Sequence, residues 1–534
     1  MSLKTPSMPQ LPANPPKSPK LFRTQRELNK AEESPIQGTL PSWVKGTFMR
    51  IGPGKFDFDK DFTVQHFMDG YALVTKFDIR NGKVRYEKKF LESDAYKKAL
   101  IAQKPVITEF GTKSSPDPTK SFFSKMVPSI MPELSDNNNI NLFGIGGDIY
   151  ATGETCFFRD IDPDTLKSGN KYDTNKFFGL QMASAHPITD EDGYTYNVGC
   201  SLLAGLKYSV IKIPPTGKNE TAKDAFKKAK VLCNISSSNT GLISFMHSFG
   251  MTKNYLIFIE QPYVINAGKV LGSVLAKATP IQDWLEWRTE LNNRFFIVEK
   301  ATGKVLKADV VTDVGFFYLH VINSFEKDDH IVLDITTFPN TNALTKKMDL
   351  AKLRRLSIDD CDNPVGERYV IPLVDLDDVE EGSNCVGLAS GATAVRRGKQ
   401  LVVTPEVITE RGLELPTINK RFLSKKTSFY YATGSATKGY FENAVCKVHA
   451  SKKETILWRE SEHYCLGEPQ FIQNPEKKSE DDGVLVTAVV DNREKTQDFL
   501  LFLDAKTMKE LGRAYFKEEI PAAVHGIWLP EDDV

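Results

Sequence analysis

Four of the eight histidines lie among apolar or small residues, and they are the side chains of this chain best suited to chemistry. These four residues are His186, His247, His320 and His525. A neutral imidazole can bind a metal ion, and a buried imidazole needs a partner for each ring nitrogen. Because the four are spread over most of the chain, they form one site only if the fold assembles distant segments. Their spacing alone does not show that they converge.

His320 lies in an almost wholly apolar run at residues 315–323. A charged turn at 326–329 and a second apolar run at 332–335 follow, which predicts two paired strands. A single histidine in such a strand is more often a core residue bonded to backbone than a ligand. The remaining histidines, in polar or turn contexts, are interpreted as ordinary residues: His66, His330, His449 and His463.

The segments around the four apolar-context histidines resemble the carotenoid cleavage oxygenase family, over residues 40–530. The matching motifs lie in family order at residues 40–56, 68–70, 109–112, 116–118, 153–155, 184–187, 246–250, 259–262, 414–416, 467–469, 480–484 and 503–506. So many ordered matches make the resemblance specific. The animal branch fits best, and residues 316–320 and 506–513 are most similar to the insect carotenoid isomerooxygenases.

The resemblance implies that the four histidines are the ligands of a non-haem Fe2+ ion. It also implies that each of three glutamates accepts a hydrogen bond from the other ring nitrogen of a ligand: Glu154, Glu414 and Glu468. Three glutamates cannot serve four histidines, so we expect His186 to have another partner or none. Imidazoles alone suit zinc, copper, iron or nickel, and the choice of iron comes from the resemblance.

Aromatic residues near the expected ligands are candidates for the wall of a substrate tunnel. They are Phe245, Phe316, Phe317, Tyr318 and Trp528. Aromatic side chains beside a buried metal are also ordinary core packing. One departure from the family pattern is Gly153, which replaces the usual threonine or serine before the glutamate. We expect the lost side chain to relieve crowding near the open coordination positions and to favour access of oxygen.

Short apolar runs alternating with polar turns extend from about residue 40, and helical periodicity is scarce. They are clearest as predicted strands at 454–459, 470–473, 484–490, 499–503 and 513–516. Roughly four strands per 50 residues match one blade of a β-propeller. The resemblance implies an all-β fold with seven blades and a helical and loop cap over the metal site. We expect a single domain over 26–534, after a disordered arm at 1–25 that is rich in proline, lysine and serine.

The composition excludes some classes of function. Lysine plus arginine equals aspartate plus glutamate at 69 each, so no global charge points to nucleic acid. Seven cysteines are dispersed without a Cys-x-x-Cys pair, which predicts reduced thiols rather than a disulfide framework. The first residues have no apolar core segment, so we expect neither a signal peptide nor a transmembrane helix, and a cytoplasmic protein.

Two stretches break the strand pattern, one at 121–132 and one at 267–278. The first is apolar and interrupted by prolines, and the second predicts a helix with an apolar face. A core-facing helix and a buried loop would explain them, and so would a peripheral membrane patch edged by lysines, which the resemblance places here. The patch would consist of Phe122, Phe123, Met126, Val127, Ile130, Val270, Leu271, Val274 and Leu275.

The resemblance implies a reaction in which dioxygen cleaves one double bond of a carotenoid to give two aldehydes. Central cleavage at the 15,15′ bond would give retinal, and the insect-like segments add trans-to-11-cis isomerisation as an option. The alternatives are eccentric cleavage at the 9′,10′ bond, oxygen-independent retinoid ester isomerohydrolysis, and a carotenoid-binding protein without activity. Retention of all four histidines and all three glutamates argues against the last.

Overall fold

A computed structural model describes residues 19–58, 62–118, 132–203, 205–217, 220–275, 279–355, 363–409, 412–434, 443–476 and 478–531. Most of these residues belong to seven blades of four to six strands, which form a β-propeller. The strands within a blade pair antiparallel, except that Val305–Thr312 pairs parallel with Gln400–Thr404. A three-stranded and a two-stranded sheet accompany the blades. The predicted all-β, seven-bladed fold is confirmed. Alternating apolar and polar runs form these strands because successive side chains point to opposite faces of a sheet.

The blades, numbered in chain order, have the following strands. Blade 1 contains Glu32–Pro35, Gly46–Lys55, Tyr71–Arg80, Lys83–Phe90 and His525–Pro530. Blade 2 contains Asn141–Ile145, Asp148–Thr152, Phe157–Ile161 and Ser168–Asp173. Blade 3 contains Met182–Ala183, Ile188–Thr189, Thr195–Ser201, Lys207–Ile213 and Lys230–Ser236. Blade 4 contains Gly250–Met251, Tyr255–Glu260, Arg294–Glu299, Val305–Thr312, Thr393–Arg397 and Gln400–Thr404.

The last three blades complete the ring. Blade 5 contains Phe317–Lys327, His330–Phe338, Val365–Pro372 and Glu406–Thr409. Blade 6 contains Leu413–Thr417, Phe429–Gly434, Ala444–His449 and Glu454–Trp458. Blade 7 contains Gln37–Gly38, Tyr464–Leu466, Gln470–Gln473, Gly483–Asp491, Asp498–Asp504 and Glu510–Phe516. The five C-terminal strands predicted from the sequence all form, within three residues of their predicted bounds.

Both ends of the described chain close the ring. His525–Pro530 pairs with Gly46–Lys55 and forms one edge of blade 1. Gln37–Gly38 pairs with Glu510–Phe516 at the opposite edge of blade 7. The two ends therefore join the first and last blades by backbone hydrogen bonds, so opening the ring requires breaking both pairings.

Helices and the remaining strands cover the propeller as the predicted cap. The α-helices are Asp94–Ala102, Thr174–Phe178, Ala222–Lys228, Ala267–Leu275, Asn342–Thr345 and Leu350–Arg355. Short 3-10 helices are Lys20–Phe22, Phe67–Asp69, Ile281–Trp284, Leu376–Asp378 and Lys420–Phe422. The small sheets contain Leu242–Ser244, Tyr263–Asn266 and Leu285–Trp287, and Asp57–Phe58 with Phe62–Thr63. Among the described residues, no disulfide joins the cysteines.

Residues 19–25, which fall inside the predicted disordered arm, are packed against the propeller. Lys20, Leu21 and Phe22 are buried. The Lys20 ammonium donates to the carbonyl of Thr496 at 2.8 Å and lies 3.5 Å from the Asp498 carboxylate. The boundary predicted at residue 25 is therefore too late. Leu21 and Phe22 pack into a hydrophobic core cluster, which the composition of this segment did not indicate.

Candidate metal centre

The four histidines that the sequence singled out meet on the axis of the propeller. The Nε2 atom of His247 lies 3.0 Å from that of His186 and 3.1 Å from that of His320. The Nε2 atoms of His320 and His525 are also 3.1 Å apart. All four ligand atoms lie within 4.8 Å of one another. This is the only group of three or more such residues that could hold a metal within the part of the chain that the structure describes.

Each of the seven blades contributes one of the predicted site residues. Blades 3, 4, 5 and 1 supply the histidines, and blades 2, 6 and 7 supply the glutamates. The strands nearest the axis contact one another around the ring, which brings residues from distant parts of the chain together. The propeller therefore explains how one site is assembled from residues that are far apart in sequence.

The site residues lie where the innermost strands depart from regular pairing. His320 falls within a register shift between Tyr318 and Val321, and Glu414 adjoins another between Glu414 and Thr417. Leu415 has a φ of 52°, a left-handed conformation that a branched side chain rarely adopts. Such irregularities turn side chains out of the sheet and are over-represented next to active sites.

His186 and Glu468 interrupt their strands in the same way. His186 lies between Met182–Ala183 and Ile188–Thr189, which pair with one continuous neighbour. Glu468 lies between Tyr464–Leu466 and Gln470–Gln473, which share a neighbour as well. In both cases the interruption lets a side chain leave the plane of the blade and reach the axis.

Two of the carboxylates hold histidines that belong to other blades. Glu154 Oε1 lies 2.7 Å from His247 Nδ1, and Glu414 Oε2 lies 2.5 Å from His320 Nδ1. Glu414 also accepts hydrogen bonds from the Leu415 amide at 2.6 Å and the Thr336 hydroxyl at 2.9 Å. These bonds fix the proton on Nδ1 and leave the Nε2 lone pair directed at the centre.

The third carboxylate belongs to Glu468, whose Oε1 lies 2.9 Å from His525 Nδ1. Its Oε2 accepts hydrogen bonds from the Gly526 amide at 3.0 Å and the Gln470 amide group at 2.9 Å. Gly467 leaves room beside it, because a Cβ atom there would lie 2.0 Å from Nη2 of Arg50. The buried Arg50 guanidinium therefore packs directly on the backbone of the loop that carries Glu468.

His186 has no carboxylate partner among the described residues. Its Nδ1 faces the Nδ2 of Asn141 at 3.4 Å. The amide of Asn141 is already committed, since Nδ2 donates to the Ala185 carbonyl at 3.0 Å and Oδ1 accepts from the Leu142 amide. The partner of this fourth imidazole is therefore a neutral amide. Sequence reasoning did not identify Asn141, Thr336, Gln470 or Arg50, because no spacing links them to a histidine.

Burial and neighbouring charges set the pKa values at the centre. Burial, reinforced by the other three imidazoles, holds the pKa of His186 well below its ordinary value. Burial also lowers the pKa of His247, with partial compensation by Glu154. Burial acts the same way on His320, but the charges of Glu414, Glu468 and Glu154 outweigh it and raise its pKa. His186 and His247 are thus neutral and ready to donate a lone pair at neutral pH.

The donor set fits a divalent metal ion. Two nitrogens held at right angles about 2.1 Å from one ion would be about 3.0 Å apart, the separation seen between neighbouring Nε2 atoms. The three surrounding carboxylates offset the positive charge of such an ion. All four donors are imidazoles, which suit first-row transition metals rather than calcium or magnesium.

A cavity of about 310 Å³ opens onto this centre. His247, His320, Glu154 and Glu414 form part of its wall. The rest is largely apolar and comes from blade and cap residues that include Phe67, Phe110, Met182, Phe245, Leu319, Phe338, Leu344 and Met348. The cavity can therefore hold a long apolar molecule beside the histidines.

Of the five aromatic residues predicted for the tunnel, Phe245 lines this cavity and the other four do not. Phe317 packs behind Phe338, and Phe316 stacks on Tyr369. The Tyr318 hydroxyl lies 3.1 Å from the Ser248 carbonyl and joins two blades. Alternation along a strand directs these side chains into the cores between sheets, which proximity to His320 in the sequence did not reveal.

Trp528, the fifth aromatic residue, lies on the edge strand of blade 1. It pairs with Phe48 and covers Gly46, where a Cβ atom would lie 2.7 Å from the indole ring. Trp528 packs against a core cluster around Phe48 rather than lining the cavity.

The predicted membrane patch is described only in its second half. Five of its residues lie outside the described residues, namely Phe122, Phe123, Met126, Val127 and Ile130, and the side chain of Leu275 is likewise outside the described part. The helix predicted at 267–278 is present as Ala267–Leu275, and the Asn266 side chain caps its first amides. Val270 is 7% exposed and Leu271 is 60% exposed, with Val274 half-buried. Val270 therefore belongs to the core while Leu271 faces outward. Adjacent residues of a helix can differ in this way because their side chains point about 100° apart.

Comparison with known proteins agrees with this site. The family model described as retinal pigment epithelial membrane protein matches residues 21–530. The chain belongs to this family. The carotenoid-cleaving dioxygenase, mitochondrial, of Mustela putorius furo is 36% identical to the chain. The match covers 95% of this chain and 96% of that relative. The β,β-carotene 15,15′-dioxygenase of Gallus gallus is also 36% identical, over 96% of this chain and 98% of its own.

Solved structures share the fold of this family member. A cobalt-substituted form of the Synechocystis apocarotenoid oxygenase superposes with a TM-score of 0.75 at 19% identity, over 96% of this chain and 98% of that one. A chimera of that oxygenase with the retinal pigment epithelial protein gives a TM-score of 0.74 at 20% identity, over the same shares. The propeller architecture is thus common to proteins that have lost most sequence similarity.

Proposed function

We propose that this protein is an iron-dependent dioxygenase that cleaves the central 15,15′ double bond of a carotenoid with O2, giving two molecules of retinal from β-carotene. The observation that carries the proposal is the cluster of four imidazoles opening onto an apolar cavity. It occurs in a chain that is 36% identical, over 96% of its length, to the chicken β,β-carotene 15,15′-dioxygenase.

Each part of the site has a role in this reaction. His186, His247, His320 and His525 hold Fe2+, and the three glutamates orient the rings of the last three. Bound there, ferrous iron supplies the activation of dioxygen. The apolar wall, with Phe245 among its residues, aligns the polyene beside the centre and excludes water from it. No organic cosubstrate is required, since dioxygen contributes both aldehyde oxygens.

Which double bond is cleaved is the most specific point of the proposed reaction. The chicken relative is named for the 15,15′ bond, whereas the equally similar ferret relative has a name that specifies no bond. Eccentric cleavage at the 9′,10′ bond is therefore the second candidate. Its products would be two carbonyl compounds of unequal length, an aldehyde and a methyl ketone, which separates the candidates in one chromatogram.

We also propose that the enzyme takes its substrate from a membrane surface to which it attaches reversibly. None of the helices among the described residues is long and apolar enough to cross a bilayer. Leu271 exposes 60% of its surface on the helix Ala267–Leu275, and Lys269 beside it is paired with Glu286 at 3.0 Å. An exposed leucine beside a lysine suits insertion at the lipid boundary, and attachment through only a few such residues is reversible.

Product analysis tests the proposed reaction. Purified, iron-loaded protein is incubated with β-carotene in air and under nitrogen, and with a retinyl ester under nitrogen. We expect retinal from β-carotene in air only. The 11-cis isomer of retinol, formed from the ester without oxygen, would show isomerohydrolysis instead, and an aldehyde with a methyl ketone of unequal length would show eccentric cleavage. The His463→Ala variant, changed at an exposed histidine outside the cluster, is the control and should match the wild type.

A further inference from the structure

A second cavity, of about 40 Å³, lies between blades 2 and 3 beside the metal centre. It lies beside the segment of blade 2 that carries Glu154 and the segment of blade 3 that carries His186. Gly153 and Thr155, on either side of Glu154, line it, and so do Ser184 and Pro187, which flank His186. Most of the remaining wall is aromatic or aliphatic and includes Phe143, Phe158, Phe178, Leu180, Val198 and Phe226.

The hydroxyl groups in this wall already donate their protons to the protein. The hydroxyls of Thr152, Thr174 and Ser184 donate to the carbonyls of Ala185, Cys156 and His247. Thr155 donates to the Ser135 carbonyl. A buried water needs two to four polar partners, so a mostly apolar wall whose hydroxyl protons are engaged favours small apolar molecules over water.

Asn197 completes this set of polar groups. Its Nδ2 donates to the Ser184 carbonyl at 3.1 Å, and its Oδ1 accepts from the Val198 amide at 2.8 Å. Both halves of the amide are therefore used within blade 3. The cavity presents an apolar interior although five of its residues carry polar groups.

The loop of Gly153, Glu154 and Thr155 borders both this cavity and the large one. Gly153 and Thr155 line both cavities, one on each side of the loop. Gly153 has no side chain to thicken the partition, and the position of a Cβ there is 3.6 Å from the nearest atom, Asn138 Oδ1. At the other end, Phe177 is 49% exposed and also lines the cavity, so its ring stands between the cavity and solvent.

We propose that this second cavity binds dioxygen and passes it to the metal centre past Gly153. The inference rests on the proposed function, in which dioxygen is a substrate. Dioxygen is small and apolar, so it partitions into a mostly apolar space. A polyene in the large cavity covers the approach through that cavity, and a separate entrance at Phe177 lets oxygen arrive after the carotenoid has bound.

Xenon is the probe for the cavity itself, because it is apolar and small and needs no catalysis. Crystals of the wild-type enzyme and of the Ile211→Phe variant are pressurised with xenon. Ile211 lies in the wall of the cavity and packs with Phe158, Leu180 and Phe226, so the larger ring fills the space. We expect xenon in the wild-type cavity and none in the variant. If Ile211→Phe does not fold, Ile213→Phe, in the same wall, replaces it with the same expectation.

Steady-state kinetics at varied oxygen then test the route. We expect the filled variant to raise the KM for oxygen severalfold and to leave the KM for carotenoid unchanged, and Phe177→Ala to lower the KM for oxygen. Val231→Phe, at a position 37% exposed on the outer strand of the same blade, is the matched control and should change neither constant.

Two results would overturn the inference: absence of xenon from the wild-type cavity, or a variant that has lost xenon but keeps the wild-type KM for oxygen. A wild-type protein that takes up xenon but cleaves no carotenoid in air would instead refute the proposed function, and with it the assignment to dioxygen. The gas-binding cavity would still stand in that case.

Discussion

His320 and His525 are 205 positions apart in the chain, yet their Nε2 atoms lie 3.1 Å apart. Neither residue is placed by its sequence neighbours alone. His320 comes from the strand Phe317–Lys327 of blade 5, and His525 begins the strand that closes blade 1. The metal centre therefore depends on closure of the ring, and a change that loosens the C-terminal strand should weaken metal binding as well as stability.

The carboxylates that orient the ligands should be needed for metal affinity but not for folding. We expect Glu414→Gln, Glu154→Gln and Glu468→Gln each to lower metal affinity or activity by roughly 10- to 100-fold, as losses of such partners usually do. Competition with a chelator measures the affinity, and circular dichroism checks the fold. Glu367→Gln, a partly buried change on the same blade as His320, is the control. Wild-type affinity in all three variants would show that the carboxylates do not orient the ligands.

Gly467 should tolerate no side chain. A Cβ atom there would lie 2.0 Å from Nη2 of the buried Arg50 and displace the loop that carries Glu468. We expect Gly467→Ala to cost about 1–3 kcal/mol of stability, as overpacking does, and to lower the metal content through His525. Gly272→Ala is the control, because its Cβ meets nothing within 4 Å. If Gly467→Ala kept the melting temperature and the full metal content, Arg50 would have to be mobile.

The strands were predictable from the sequence because apolar and polar residues alternate strongly. The runs at 484–490 and 499–503 became Gly483–Asp491 and Asp498–Asp504. The ligand histidines were predictable because their motifs resemble a family. The residues that line the cavity were not predictable in the same way, because Phe316, Phe317 and Tyr318 lie just before the register shift around His320. Periodicity places residues on the faces of a strand, and it does not reveal where a bulge reverses them.

The stability of the packed N-terminal segment should depend on pH through Asp498. Burial raises the pKa of this carboxyl from 3.8 to about 6, and Lys20 offsets only part of that effect. Between these values the folded state binds a proton that the unfolded state does not, so stability falls as pH rises from 4 to 6. Relative to Asp498→Asn, which cannot titrate, the wild type should lose about 2 kcal/mol over this range.

Melting curves of the two proteins at several pH values between 4 and 7 measure this difference. The asparagine variant carries a constant offset, because its amide faces the Ile520 N–H that now donates to the carboxylate. The slope with pH, rather than the offset, is the quantity of interest. A gap between the two melting temperatures that does not vary with pH would rule out titration of Asp498.

Membrane attachment should depend on Leu271 and not on its neighbour Val270. Leu271 is 60% exposed, so we expect Leu271→Ser to reduce co-sedimentation with liposomes while the melting temperature stays unchanged. Val270 is buried in the core with Trp284, so Val270→Ser should lower the melting temperature. Activity on detergent-dispersed carotenoid should be the same in Leu271→Ser as in the wild type. Unchanged co-sedimentation of Leu271→Ser would place the membrane face elsewhere.

The most direct test of the account is the iron content of the wild type and of His320→Ala, measured with carotenoid cleavage in the same samples. His320 has neighbouring ligand nitrogens at 3.1 Å on two sides, so its loss breaks the cluster at its middle. We expect one iron per wild-type chain, and in the variant strongly reduced iron and no measurable aldehyde. A His320→Ala protein with full iron and full activity would contradict the assignment of the metal centre.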